Sequence, residues 1–263
     1  MIYKTIDFEK VDKVATITLS RPEYYNSLNE QMAKELLNVA YECDQNSSIR
    51  CVILTGEGEK AFCSGGDLKS FYEQEENVSR HLKEVTHCLH GAITRFSRMD
   101  APLIVAVNGV AAGAGLSFVG FADLAVCSDK ASFVSAYSKA GLTPDGSSSY
   151  FLPRIIGSRR YLELVLTNKI LSSKEALEWG LINKIFKHEI LYKETFKIAK
   201  ELSEGPTLAF GRTKELVHNS FTSSLEGQME LETIMISKSA DTEDGKEGIR
   251  SFVKKEKPTF LGK

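Results

Sequence analysis

The sequence predicts an α/β fold in which a strand–helix core is followed by a helical C-terminal region. Three observations predict it. Short runs of strand length, alternating or wholly apolar, recur through the first 190 residues. Two of these runs lead into a glycine-rich turn and then a helix start. Beyond about Leu142 the pattern goes over almost entirely to helical spacing. The chain therefore divides into a core, 1–190, and a helical region, 191–263. A helical tail with no evident core of its own packs on its parent domain or on a neighbouring subunit.

Taken in order, 3–9 and 14–19 alternate apolar and polar residues, as half-buried strands do. Asn29 is placed to cap a helix running to about Cys43, with Met32, Leu36, Leu37, Val39 and Ala40 on one side. A short strand follows at 50–54, and helix is expected from Leu68 onward and over 78–99. Leu103-Ile104-Val105-Ala106-Val107 is apolar throughout, the mark of a buried strand. A small-residue helix at 113–120 and strands at 123–127 and 131–135 complete the strand-rich part. Helices are then expected at 146–157, 158–166, 173–180, 191–203, 207–219, 225–239 and 241–254, with one further strand at 181–186.

Bulk properties narrow the function. The chain has 263 residues, 33 basic and 35 acidic, for a net charge of −2. That balance argues against nucleic acid or an anionic membrane as partner. No apolar run reaches the roughly 18 residues that a spanning helix requires. Five scattered cysteines, Cys43, Cys51, Cys63, Cys88 and Cys127, form no CxxC pair and suit free thiols in a reducing compartment. With no basic-then-apolar leader at the start, a cytoplasmic location is expected.

The two glycine-rich turns are the most informative feature. Cys51 to Thr55 leads on to Ala61-Phe62-Cys63-Ser64-Gly65-Gly66-Asp67-Leu68, and the 103–107 strand leads to Asn108-Gly109-Val110-Ala111-Ala112-Gly113-Ala114-Gly115. Glycine admits positive φ and close approach of a ligand. At a helix start the first N–H groups lack internal partners and the helix dipole favours negative charge. Two such groups converging on one point make an oxyanion hole; the alternative is close helix–strand packing through glycine. A dinucleotide fingerprint fits poorly because Phe118 stands where its third glycine belongs, and neither turn ends in the Gly-Lys-Ser/Thr of a phosphate loop.

These segments resemble the crotonase (enoyl-CoA hydratase/isomerase) superfamily. So do Ser20-Arg21-Pro22 with Asn26-Ser27-Leu28-Asn29, Ala176-Leu177-Glu178-Trp179-Gly180-Leu181-Ile182, and Phe252-Val253-Lys254-Lys255-Glu256-Lys257-Pro258. The likeness spans essentially the whole chain in order. It implies a crotonase-like spiral of ββα units with a C-terminal helical region that mediates assembly into homotrimers or homohexamers. It implies an acyl-CoA substrate whose carbonyl accepts from the Gly66 and Ala114 amides, with no cofactor beyond the coenzyme A of the substrate. It further places Ser64, Asp67 and Leu68 around the thioester, Tyr24 and Tyr25 against coenzyme A, and Phe260 and Lys263 where relatives reach a neighbour's coenzyme A. Asp67 is also placed to cap the helix after it. Glu23 replaces a lysine common at that position in relatives, which weakens any phosphate contact there.

The resemblance also shows a departure. The two glutamates of hydratases fall on Ser117 and Tyr137, and neither a serine nor a neutral phenol activates water near pH 7. A carboxylate stands nearby in Ala140-Gly141-Leu142-Thr143-Pro144-Asp145-Gly146-Ser147-Ser148. Asp145 resembles the proton shuttle of enoyl-CoA isomerases, especially that of the phenylacetyl-CoA route, whose loop also reads Pro-Asp. One acid suits an isomerase, taking a proton from C2 and returning it to C4. The residues alone equally allow Asp145 to be a helix cap.

Other groups carry less. His81, Glu84, His87 and His90 share helical spacing but lack HExxH and a third strong ligand, so a solvated or pocket-rim helix face is expected rather than a metal site. Ser147-Ser148-Ser149 lacks the G-x-S-x-G elbow of a serine hydrolase. Phe71, Tyr72 and Leu82 are candidates for the acyl pocket or for plain core. The expected function is an acyl-CoA isomerase that shifts a double bond, of Δ3–Δ2 enoyl-CoA or ring-epoxide type. The alternatives are a hydratase using Asp145 in an unusual role, or a non-catalytic CoA-thioester-binding or RNA-binding member of the fold.

Overall fold

A computed structural model describes residues 3–263. Strands β1 (Ile6–Val11) and β2 (Val14–Leu19) form an antiparallel hairpin whose turn uses Asp12 at φ 54°. Helix α1 (Glu30–Gln45) begins at Asn29, whose side chain accepts from the Met32 amide; the helix buries Met32, Leu36, Val39, Ala40 and Cys43. Three units follow in which a strand of one sheet leads to a strand of a second sheet and then to helix. The first is β3 (Cys51–Gly56), β4 (Ala61–Cys63), the short α2 (Leu68–Tyr72) and the long α3 (Val78–Arg98). The second is β5 (Leu103–Val107), β6 (Val110–Ala112) and α4 (Ala114–Phe121). The third is β7 (Leu124–Ser128), β8 (Ser132–Val134), α5 (Ser148–Ile156) and α6 (Ser158–Thr167). Strand β9 (Leu171–Ser172), helix α7 (Ser173–Glu178) and strand β10 (Lys184–Phe186) close this part.

The larger sheet runs β1-β2-β3-β5-β7-β10 and the smaller β4-β6-β8-β9. From β2 onward the larger sheet is parallel, as connections through intervening helices require. Each unit thus advances one strand along both sheets, and the chain winds as a spiral. Phe62, Phe96, Phe118 and Phe133 are fully buried in the core. Helix α8 (Leu191–Ser203) covers the other face of the larger sheet, packing Leu191 and Ala199 with Val14, Cys51, Ile53 and Ile104.

Helices α9 (Thr207–Ser220), α10 (Leu225–Ala240) and α11 (Glu243–Lys254) form the C-terminal region. Lys214 of α9 pins it to the core: its ammonium lies 2.8 Å from Asp123 and also donates to the Phe96 and Ala101 carbonyls. The last residues return to their own chain. The Asp244 carboxylate accepts from the Leu261 and Gly262 amides, and Arg50 donates to the Phe260 carbonyl.

Most expected elements form, with shifted ends. Strands β4, β6 and β9 were not expected: two or three residues carry no legible period, and pairing in the second sheet alone makes them strands. Helix expected from Leu68 onward breaks after Tyr72, where a 3-10 turn over Glu75–Asn77 starts with Glu75 at φ 45°. The strand expected over 181–186 shortens to Lys184–Phe186, because Leu181 and Ile182 enter the core from the turn that precedes it. Among the described residues no helix is long and apolar enough to cross a membrane.

Candidate active site

Strands β4 and β6 are neighbours in the smaller sheet, so the two glycine turns that follow them lie side by side. A Cβ on Gly113 would come within 3.2 Å of the Gly65 Cα, and one on Gly65 within 3.2 Å of the Ala112 carbonyl. Gly65 sits at φ 102° and Gly113 at φ 52°, ψ −118°, conformations that L side chains rarely adopt. Gly115 lets α4 approach β4, since a Cβ there would lie 2.2 Å from the Cys63 carbonyl.

Ala114 is the first residue of α4, so its amide has no acceptor inside the helix. Among the described residues neither the Gly66 nor the Ala114 amide donates to a protein acceptor. Both residues border a cavity of about 240 Å³. Its apolar wall includes Leu28, Phe71, Leu82, Val85 and Leu142; Ser64 and Leu68 also line it. Phe71 and Leu82 are therefore pocket residues, whereas Tyr72 is 84% exposed and outside the lining.

Asp145 is the one carboxylate among the lining residues. It sits in the loop between β8 and α5, which Ala136 (φ 61°) and Ser147 (φ 67°) bend through left-handed backbone. Its side chain does not cap α5, which has no side-chain cap. Instead the Tyr137 hydroxyl donates to Asp145 Oδ1 over 2.6 Å. Burial, then the neighbouring Asp145 charge, push the Tyr137 phenol well above its ordinary value, so it stays a neutral donor. Ser117, fully buried on α4, lies 3.2 Å from the Tyr137 oxygen and donates to the Asp145 carbonyl over 3.0 Å.

On the histidine-bearing face of α3, Glu84, His87 and His90 are exposed, as a solvated or rim face requires, and only His81 departs from it. His81 is buried, 3.4 Å from Ser70 Oγ and 4.0 Å from a Glu30 carboxylate oxygen. His90 is exposed but stands at the Asp145 loop: its Nε2 accepts from the Gly146 amide over 3.2 Å and lies 4.0 Å from Asp145 Oδ2. That acceptor role puts the ring proton on Nδ1. Sequence reasoning missed this neighbour: His90 lies one helical turn beyond Thr86, and only the packing of α3 shows that Thr86 lines the cavity. Among the described residues no group of three potential ligands is placed to hold a metal ion.

The other candidate residues lie apart from the carboxylate. Asp67 caps α2 through the Ser70 amide and pairs with Arg21 at 2.9 Å. Tyr24 and Tyr25 are half-exposed, with Arg21 over the first ring and Lys60 over the second. Tyr25 borders a separate groove of about 390 Å³ with Lys60 and Glu59. Phe260 and Lys263 do not line the cavity of their own chain; their carbonyls accept from Arg50 and from the Asp244 amide.

Two unengaged amides in touching glycine turns, bordering a cavity with one carboxylate, on a ββα spiral, define a crotonase-type protein of CoA-thioester chemistry. The Enoyl-CoA hydratase/isomerase family model matches residues 9–263, and the chain belongs to that family. It is 34% identical over 251 residues to 1,2-epoxyphenylacetyl-CoA isomerase of Escherichia coli (strain K12), covering 95% of each chain. It is 35% identical to 4-chlorobenzoyl coenzyme A dehalogenase-2 of Arthrobacter sp, covering 86% of this chain and 82% of the relative. Among solved structures, an enoyl-CoA hydratase subunit from Geobacillus kaustophilus HTA426 superposes with a TM-score of 0.91 at 32% identity, over 99% of both chains.

Proposed function

We propose that the protein is an acyl-CoA isomerase that shifts a double bond within the acyl group. The observation that carries this reading is that Asp145 alone supplies a carboxylate to the cavity bordered by the free Gly66 and Ala114 amides. The thioester oxygen accepts from those two amides. Asp145 takes a proton from C2, and the C–H electron pair flows into the carbonyl as an enolate. The same carboxyl returns the proton at C4, which moves the double bond from Δ3 to Δ2. Each oxyanion donor typically contributes about 2.7–4 kcal/mol to the transition state, and the acid–base step roughly 10²–10⁴-fold. No cofactor is needed beyond the coenzyme A of the substrate. The similarity to an epoxyphenylacetyl-CoA isomerase supports the same reading and a ring-bearing acyl group.

A second reading rests on His90, whose Nε2 lies 4.0 Å from Asp145 Oδ2. An imidazole beside a carboxylate can activate water, and a relative bears the name of a 4-chlorobenzoyl-CoA dehalogenase. Here water, losing a proton to the imidazole, would form a C–O bond at the ring carbon while halide leaves with the carbon–halogen pair, giving a hydroxyaryl-CoA. The deciding experiment offers 3-enoyl-CoA, 2-enoyl-CoA and 4-chlorobenzoyl-CoA to purified protein in deuterated water. Isomerised product with deuterium at C2 or C4 and no hydration supports the isomerase. Halide release selects the second reading, hydrated product alone a hydratase, and tight binding without turnover a thioester-binding protein.

Assembly as a homotrimer or homohexamer belongs to the same proposal. Helix α10 buries only Met235 and exposes Leu225, Met229 and Ile236, a face that a second copy would cover. In such an assembly Phe260 and Lys263 would reach a neighbour's coenzyme A, while Tyr24 and Tyr25 would lie against the adenine and pantetheine of the coenzyme A bound to their own chain. Mass in solution tests the assembly.

A further inference from the structure

We propose that Tyr137 is a positioning residue for the proton-carrying group, and that Ser117 holds Tyr137 in register. The inference rests on the reading of Asp145 as the acid–base. A carboxylate on a loop has two equivalent oxygens and free rotation about its last bond. Here the Tyr137 hydroxyl fixes one of them, Oδ1, at 2.6 Å, and no hydrogen bond among the described residues engages Oδ2. One oxygen is therefore anchored and the other left to exchange a proton.

The anchor itself is fixed from behind. Ser117 Oγ has a single proton and three acceptors within reach: the Asp145 carbonyl at 3.0 Å, the Tyr137 oxygen at 3.2 Å and, one turn back on its own helix, the Gly113 carbonyl at 3.3 Å. The two shorter contacts both tie the Asp145 loop to α4, the helix whose first amide is that of Ala114. A Cβ on Gly146 would lie 3.0 Å from the Ser117 Cβ, so the loop backbone rests directly on the serine. The distance from the oxyanion amide to the carboxylate is thus set through one rigid helix. Catalytic geometry of this kind is sensitive: a misplacement of about 1 Å can cost about 10²-fold in rate. The high proton affinity of the buried phenol supports the arrangement, because it keeps Tyr137 a donor rather than a competing anion.

The test uses the full-length protein, Tyr137→Phe, Ser117→Ala and Asp145→Asn. A hydroxyl proton in a short bond to a carboxylate gives an NMR resonance downfield of the amides. That resonance is expected in the wild type, absent in Tyr137→Phe and Asp145→Asn, and broadened by faster exchange in Ser117→Ala. In the isomerase assay Tyr137→Phe is expected to lower kcat by about 10²-fold with KM close to wild type. A wild-type kcat in Tyr137→Phe, or a resonance that survives that substitution, overturns the proposal. If Tyr137→Phe fails to fold, Asp145→Asn and Ser117→Ala still report on the resonance. If no substrate is isomerised, the functional reading fails while the resonance still decides whether Tyr137 holds Asp145.

Discussion

Gly65 and Gly113 meet backbone to backbone, and this contact brings the two turns together: a Cβ on Gly113 would stand 3.2 Å from the Gly65 Cα. Gly113→Ala would both force the turns apart and hold an L residue at φ 52°, ψ −118°. The backbone strain alone costs about 1–3 kcal/mol. Thermal unfolding should show that loss, and acyl-CoA binding should weaken with it. A variant that unfolds and binds like the wild type would refute the role given to the contact.

Asp145→Asn keeps the size of the side chain and removes its base. Acyl-CoA binding, measured by calorimetry, should stay near the wild-type value while isomerase turnover falls at least about 10²-fold, within the range that acid–base catalysis supplies. Undiminished turnover would sink the assignment.

Ser117→Glu should not turn the protein into a hydratase. Ser117 is fully buried, and the Gly146 backbone rests on it. A glutamate there has no room and would sit beside the Asp145 carboxylate without a counter-charge. The expected result is loss of isomerisation with no gain of hydration, read by product analysis from 2-enoyl-CoA.

Lys214→Met should destabilise the fold by about 3–5 kcal/mol near neutral pH, because it leaves the mostly buried Asp123 unpaired. The deficit depends on pH with a definite sign. Burial raises the Asp123 carboxyl above its ordinary value, against the pull of Lys214. A carboxyl raised in the folded state favours folding most when protonated, and that contribution is lost as pH rises through the folded value. Without the lysine the carboxyl rises further, so the variant's deficit should shrink on acidification. Denaturant midpoints at acid and neutral pH check this.

Thiol labelling should single out Cys88. Burial pushes the Cys43, Cys51, Cys63 and Cys127 thiols up to about 12, leaving them protonated and enclosed. Cys88 is only partly buried. Mass spectrometry after brief alkylation of folded protein should find Cys88 modified first. Early labelling of any of the other four would contradict the packing around them.

What the sequence made legible follows from how local each feature is. Strand β5 is readable because five apolar residues in a row have few other uses. The glycine turns are readable because positive φ restricts residue choice locally. Strands β4 and β6 are not, since their strand character comes from pairing with each other. The tie from Tyr137 to Asp145 depends on left-handed backbone at Ala136, a conformation that alanine does not announce. His90 reaches the same loop only because α3 packs beside it, which no local pattern states.

The Asp145 loop has one further consequence. The unengaged Gly66 and Ala114 amides belong to strand–helix junctions locked into the smaller sheet, whereas the Asp145 carboxylate rides on a surface-facing connection between β8 and α5. Under the proposed function, recognition of the thioester and selection of the bond to be broken come from separate stretches of chain. Exchanging the residues between Ala136 and Ser147 should then change the chemistry performed while the Gly66 and Ala114 amides keep their place at the cavity.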